Sequence, residues 1–370
     1  MAVNQTRRRL LAAGAGALAL PALTTVPSIA WALPGREHAD WLFSAVNDAD
    51  GRHCIAGITP GGERHFTLAI PERCHGGCLS PAKPQAVVFA RRPGWRFYVV
   101  DGEAQEVSHQ IDAGDGYHFY GHGVFEPAGR YLYVTANRLH DAMGLVRVYD
   151  AESDYRHVRD IALDGIGPHE IRLLPDGETL AVGLGGIKTH PDYGRVKLNL
   201  KDMDPALLLV NRESGEITAR HRPSHHQLSC RHLDVAADGT VIAGYQFQGP
   251  EWEAHPLLCR LGPDSAFSEL ALNDALTASL QQYTASVAIS RSRPLVLVTA
   301  PRGHKVLLLD HQSGALVAEY ALPDAAGARC DGTGGFVVSS GRGGLYRITP
   351  GEPEAVALAD LPLKWDNHLT

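Results

Sequence analysis

Four passages of the sequence share one rhythm. CHGGCLSPAKPQAVVFA, YGHGVFEPAGRYLYVTAN, GPHEIRLLPDGETLAVG and CRHLDVAADGTVIAGYQ each place a histidine shortly before a turn and a β-rich run. The step from His75 to His122 is 47 residues (122 − 75), and the step from His122 to His169 is again 47 (169 − 122). The next step, to His232, is 63 residues, and the excess falls in GGIKTHPDYGRVKLNLKDMDP, an insertion expected between strands of the fourth unit. Seven runs have the character of the second strand of such a unit: DWLFSAV, AVVFARR, YLYVTAN, TLAVGLG, TVIAGYQ, LVLVTAP and FVVSSGR. Short strands at regular spacing, with no helical period between them, indicate an all-β chain. A repeat of roughly 45 residues carrying four strands is the signature of a β-propeller. The sequence therefore predicts a seven-bladed β-propeller.

The two ends of the repeat complete one another. The first copy begins at a second strand, WLFSAV, and lacks an innermost one, whereas the terminal PLKWDNHLT has no unit of its own. Pairing of the N- and C-terminal segments would supply the missing strand and remove exposed sheet edges. It would also bring His368 to the place held by the other repeat histidines.

In a propeller the first strand of each blade lines the central channel, so a residue recurring at its start forms a ring. Five copies supply histidine there, namely His75, His122, His169, His232 and His368. The sixth and seventh offer Ser286 and either Cys330 or Asp331. Neutral imidazole is the commonest side-chain ligand of iron, copper and zinc, so the ring is a candidate transition-metal site. A second reading makes the histidines hydrogen-bonded scaffold, as in WD-repeat propellers. That histidine lies well before the first strand, however, and His122 stands only three residues before Phe125. A third reading is a metal-free binding or catalytic channel. The interval from histidine to turn is 6 residues in one copy (128 − 122) and 7 in another (176 − 169). A one-residue slip reverses the face of a strand side chain, so this spacing predicts that one or two members miss the axis.

Arginines recur at the ends of the second strands: Arg91 and Arg92, Arg138, Arg302 and Arg342. Of these, Arg138, Arg302 and Arg342 are candidate cofactor-binding residues for a small anionic ligand, by paired hydrogen bonds. The other reading makes them surface residues of turns. The insertion, with Lys188, His190, Asp192, Arg195 and Lys197, is expected over one mouth of the channel, with His190 either capping a metal or solvated. Cys54, Cys74, Cys78, Cys230, Cys259 and Cys330 read as buried or disulfide-bonded. Adjacent Cys74 and His75 should face opposite ways on a strand.

The chain opens with TRRRLLAAGAGALALPALTTVPSIAWAL, a basic cluster followed by a modest apolar run and a small-x-small triplet, which reads as a signal peptide over residues 1–32. Arg7 and Arg8 match a twin-arginine (Tat) leader, with a Sec signal as the alternative. Residues 33–370 are then the propeller, placed in the periplasm. A formal net charge of −7 argues against a nucleic-acid partner. No later stretch approaches a membrane span.

The leader together with YGHGVF, GIGPHE, GGIKTHPDYGRVKLNL, SSGRGGLYRI and terminal WDNH resembles an uncharacterised bacterial family of Tat-exported propellers, a domain of unknown function, over nearly the whole mature chain. Genes of that family are often found beside imelysin-type periplasmic iron proteins. The resemblance thus implies a role in iron uptake or handling, with periplasmic iron-handling proteins as partners; copper is the next metal considered for the ring. The alternative is a metal-dependent propeller enzyme, an oxidoreductase or a lactonase-like hydrolase. Against catalysis, no nucleophile elbow and no cofactor fingerprint is found in the sequence.

Overall fold

A computed structural model describes residues 41–91, 94–194 and 196–370. The expected leader lies outside the described residues, as do Arg92 and Arg195. Seven four-stranded antiparallel sheets form the blades of a propeller, six of them taking their strands consecutively from the chain. Blade 2 shows the pattern: Cys74–Leu79 is innermost, followed outward by Gln85–Ala90, Arg96–Asp101 and Glu106–Asp112.

Burial follows position in the blade. The second strand of blade 2, QAVVFA, is buried on both faces because neighbouring blades cover both, so it reads as a continuous apolar run. The outermost strand, EVSHQID, alternates exposed with half-buried residues, the period-2 pattern of a sheet edge with one wet face. The core accordingly lies between blades. Val146 and Val148 of blade 3, for example, pack with Ile171, Leu180 and Val182 of blade 4, and burying each such side chain is worth about 1.5–3 kcal/mol.

Closure is as the two ends of the repeat predict. Lys364–Trp365 pairs antiparallel with Leu42–Asn47, matching Trp365 to Val46 and Lys364 to Asn47, and forms the inner strand of blade 1. Further along, Phe43 and Thr370 exchange backbone hydrogen bonds of 2.9 and 2.8 Å. The Trp365 indole is buried and donates from Nε1 to the Gly343 carbonyl of blade 7 at 3.0 Å. The neighbouring blade must leave room for this segment. A Cβ on Gly327 would stand 2.5 Å from both the carbonyl carbon of His368 and the nitrogen of Leu369, so only glycine fits there.

The insertion falls in blade 4, between Thr179–Leu184 and Ala206–Asn211. It carries two single-turn 3-10 segments, Pro191–Tyr193 and Leu200–Asp202. Asn199 pins its base, donating to the Gly186 carbonyl at 2.9 Å and accepting from Lys188 N at 2.7 Å. Thr189 reaches Tyr120 Oη of blade 3 at 3.3 Å, so the insertion extends to the inner strand of the preceding blade.

One boundary differs from the sequence expectation. Blade 7 begins at Ala325–Cys330, so Cys330 ends its inner strand and Asp331 belongs to the following turn, accepting from Thr333 N and Gly335 N. The chain places Ala326 and Gly327 where Cys330 or Asp331 was expected, because the glycine-rich DGTGG is the turn after the inner strand and not the approach to it.

A candidate metal centre on the channel axis

All five repeat histidines meet. Ring centroids are 4.6 Å apart for His122 and His368, for His75 and His368, and for His169 and His232. They are 4.7 Å apart for His232 and His368, 4.9 Å for His122 and His169, and 5.0 Å for His75 and His122. Every one of the five residues is at most 6% exposed.

A register irregularity brings them there in spite of the spacing mismatch. In the inner strands the ladder is broken between Cys74 and Gly77, Phe119 and Gly123, Pro168 and Ile171, Cys230 and His232, and Ala325 and Ala328. A bulge leaves residues unpaired and re-aims them, so consecutive positions can face the same way. The one-residue difference between the His122 and His169 copies is absorbed in this way, and no member misses the cluster. In blade 3 the bulge needs Gly121, whose φ of +99° lies in the left-handed region. Hydroxyls of the second strands satisfy the backbone freed by the bulges. Thr135 donates to the His122 carbonyl at 3.1 Å, Thr299 to Ala326 at 2.8 Å, and Ser339 accepts from Gly327 N at 3.0 Å. The recurrent T or S of YVTAN, LVTAP and VVSSG carries this signal.

The bulge of blade 4 also delivers a residue that the histidine pattern does not reveal. Glu170 follows His169 directly, is 1% exposed, and lies 3.2 Å from His122 Nδ1 through Oε1 and 3.2 Å from His232 Nδ1 through Oε2. Arg172 Nη1 approaches Oε1 at 2.5 Å. Burial alone would raise the Glu170 pKa, but Arg172 and the two imidazoles outweigh it and hold the carboxyl well below the usual range. The residue after the histidine is Gly76, Gly123 and Leu233 in the other internal copies, so Glu170 is the one acid at that place.

Burial pushes the pKa of each ring histidine below its ordinary value, that of His232 to about 4, so the cluster is neutral imidazole beside one carboxylate. Three ring nitrogens, His122 Nε2, His169 Nδ1 and His368 Nε2, are buried without a hydrogen-bond partner. His75 differs. Arg91 donates to its Nε2 at 2.7 Å, so its proton resides on Nδ1, which donates to Asp366 at 2.6 Å. Asp366 also pairs with Arg73. Ligand atoms of His122, Glu170, His232 and His368 lie within 4.8 Å of one another, as do those of His75, His122 and His169.

The other candidates stand elsewhere. Arg138 pairs with Asp141 at 2.6 Å, Arg302 lies over the Tyr283 ring at 5.2 Å, and Arg342 is exposed at the turn after Phe336–Ser340. None of the three is in the cluster, whereas Arg91, also at a second-strand end, reaches it through His75. Ser286 accepts from Ala328 N at 3.0 Å and stitches blade 6 to blade 7. His190 caps the first 3-10 turn, accepting from Asp192 N at 3.3 Å. The six cysteines are unpaired, and five are buried. Cys74 faces the core between blades 1 and 2, away from His75, and burial raises the Cys259 thiol to about 12.

Residues 68–370 match the family described as "Protein of unknown function (DUF1513)". The chain belongs to this family. No curated protein matches it. Among solved structures it is similar to Kuenenia stuttgartiensis hydrazine synthase, with a TM-score of 0.60 and 16% identity over 85% of this chain and 94% of that one. At that identity the likeness concerns the fold. The matched region contains every histidine of the ring.

Proposed function

We propose that this chain is a periplasmic metal-binding propeller that holds a transition-metal ion on its channel axis and acts in metal uptake or handling. One observation carries the reading. The histidine cluster holds three buried imidazole nitrogens without partners, two of them on residues grouped with a buried carboxylate, and leaving buried polar groups unpaired costs about 1–3 kcal/mol each unless something fills the role. His122, His232, His368 and Glu170 would hold the ion, while His169 belongs with His75 and His122 to the adjoining group. His75 is oriented by Asp366 and Arg91 as a supporting residue.

The donor set is imidazole and carboxylate without thiolate, which suits iron and also copper or zinc. Iron is placed first, as the family resemblance implies, and copper next. Export rests on the leader, with Arg7 and Arg8 as the Tat pair. The test is metal analysis of protein purified from periplasm, followed by titration of stripped protein with iron(II), copper(II) and zinc. Bound ion in the intact chain, lost in His122→Ala and His368→Ala, is the expected result. Refusal of all three metals at neutral pH overturns the reading.

A further inference from the structure

A second cluster of the same chemistry lies apart from the ring. His225 sits in the connection between Ile217–His221 and Leu228–Val235, and Glu253 and His255 sit in that between Val241–Phe247 and Leu258–Leu261. Ligand atoms of these three residues lie within 4.8 Å of one another, and all three side chains are half-buried. His255 Nε2 and Glu253 Oε2 are 3.1 Å apart. Two ligands about 2.0–2.2 Å from one ion and at right angles are separated by roughly 3 Å, so this pair is already spaced for a shared ion.

The loops are held for the purpose. Gln248 N donates to the Gln227 carbonyl at 3.0 Å and ties the two connections together. Gln282 Nε2 donates to the Pro250 carbonyl at 2.6 Å and fixes the second loop. Phe247 is the floor, its ring 5.2 Å from that of His225 and 4.4 Å from that of His255. The two imidazoles are 4.6 Å apart with planes inclined by 35°. His225 Nδ1 accepts from Gln227 N at 3.1 Å, so an ion taking that lone pair displaces one amide hydrogen bond. Among the described residues the one hydrogen bond between these three side chains is that of His255 with Glu253.

We propose that His225, Glu253 and His255 form a second metal site, on the loops of blade 5, for a first-row divalent ion. Two imidazoles and one carboxylate, half-buried, leave further coordination positions to water. The ion is therefore exchangeable, unlike one enclosed by the ring. Independence from the ring follows from the residues, none of which is shared.

Zinc titration of the untagged full chain tests this, read by bound stoichiometry and by competition with a chelating dye. Trp252, next to Glu253 and 86% exposed, provides a second readout through fluorescence quenching by copper(II). His225→Ala and His255→Ala should each remove one zinc equivalent or weaken it by more than about 100-fold, beyond the ~10–100-fold typical of lost supporting contacts. Glu253→Gln, which preserves shape, should weaken it in the same direction. His232→Ala should leave this equivalent intact, and Trp252→Phe should abolish the saturable quench without changing stoichiometry. If the ring binds nothing, one equivalent sensitive only to the blade 5 variants still supports the second site while overturning the first. Unchanged stoichiometry and affinity in both His225→Ala and His255→Ala, or loss of all bound zinc in His232→Ala, overturns the proposal.

Discussion

Asp366 Oδ1 lies 2.6 Å from Nδ1 of His75, and this contact joins the segment that closes the propeller to the inner strand of blade 2. It also sets His75 apart, because both its ring nitrogens are engaged. His75→Ala should therefore weaken ion binding less than His122→Ala does. Asp366→Asn should cost less than either, since it preserves a hydrogen-bond acceptor for His75 and removes only the charge. Isothermal titration of the three variants checks the order, and equal losses would make His75 a ligand like the rest.

Among the described residues Glu170 is the only carboxylate in the buried groups of the ring that could hold an ion. Its replacement by glutamine keeps the shape but leaves Arg172 only the more distant carboxylate of Asp234, at 3.8 Å, and removes the negative charge of Glu170 from the proposed ion site. Chemical denaturation should give an apo protein about 1–3 kcal/mol less stable, and ion affinity should drop by more than about tenfold. Wild-type affinity in Glu170→Gln would exclude the carboxylate from the ligand set.

Acid should destabilise the ion-free protein in a defined window. Burial lowers the pKa values of His118 and His232 to about 4, whereas the same groups in an unfolded chain titrate near ~6.5. Between those values the unfolded chain binds the extra protons, so stability is whole above pH ~6.5 and falls as pH drops toward 4. Melting temperatures measured in chelator from pH 7.5 to 4.5 should decline through that range. A flat profile would mean that these imidazoles are not buried neutral.

Removal of residues 364–370 deletes the inner strand of blade 1 together with Trp365, Asp366 and His368. The milder Trp365→Ala should cost about 3–5 kcal/mol, the range for a buried tryptophan. Gly327→Ala should act on the same closure from the opposite side. A truncated chain melting within a degree or two of the intact one would show that the segment is dispensable.

Five of the six cysteines are buried and none is paired. A thiol reagent should modify about one group in the native protein, Cys330, and all six after unfolding. Two or four thiols that fail to appear on denaturation would reveal disulfides.

The repeat, its seven copies and its closure were legible because a propeller writes the same strand and turn chemistry into every blade. The ring members were legible for the same reason. Glu170 was not, since it occurs in one copy only and repetition cannot mark a single event. The spacing difference between the His122 and His169 copies pointed toward a misaligned member, and the bulge that corrects it leaves only faint traces, such as Gly121 and the hydroxyls of Thr135, Thr299 and Ser339. The blade 5 cluster joins His225 to Glu253 and His255 across two loops, a proximity that no periodicity records.

Closure by the Lys364–Trp365 segment has a consequence for the order of events in synthesis. Four ring histidines emerge within residues 75–232, and the fifth follows 136 residues after His232 (368 − 232). During that interval the four cannot form the enclosed set, because His368 and Asp366 do not yet exist beside them. The full set of proposed ligands comes together only when blade 1 is completed from its two distant parts, so capture of an ion there would report that the whole circle of blades has been assembled.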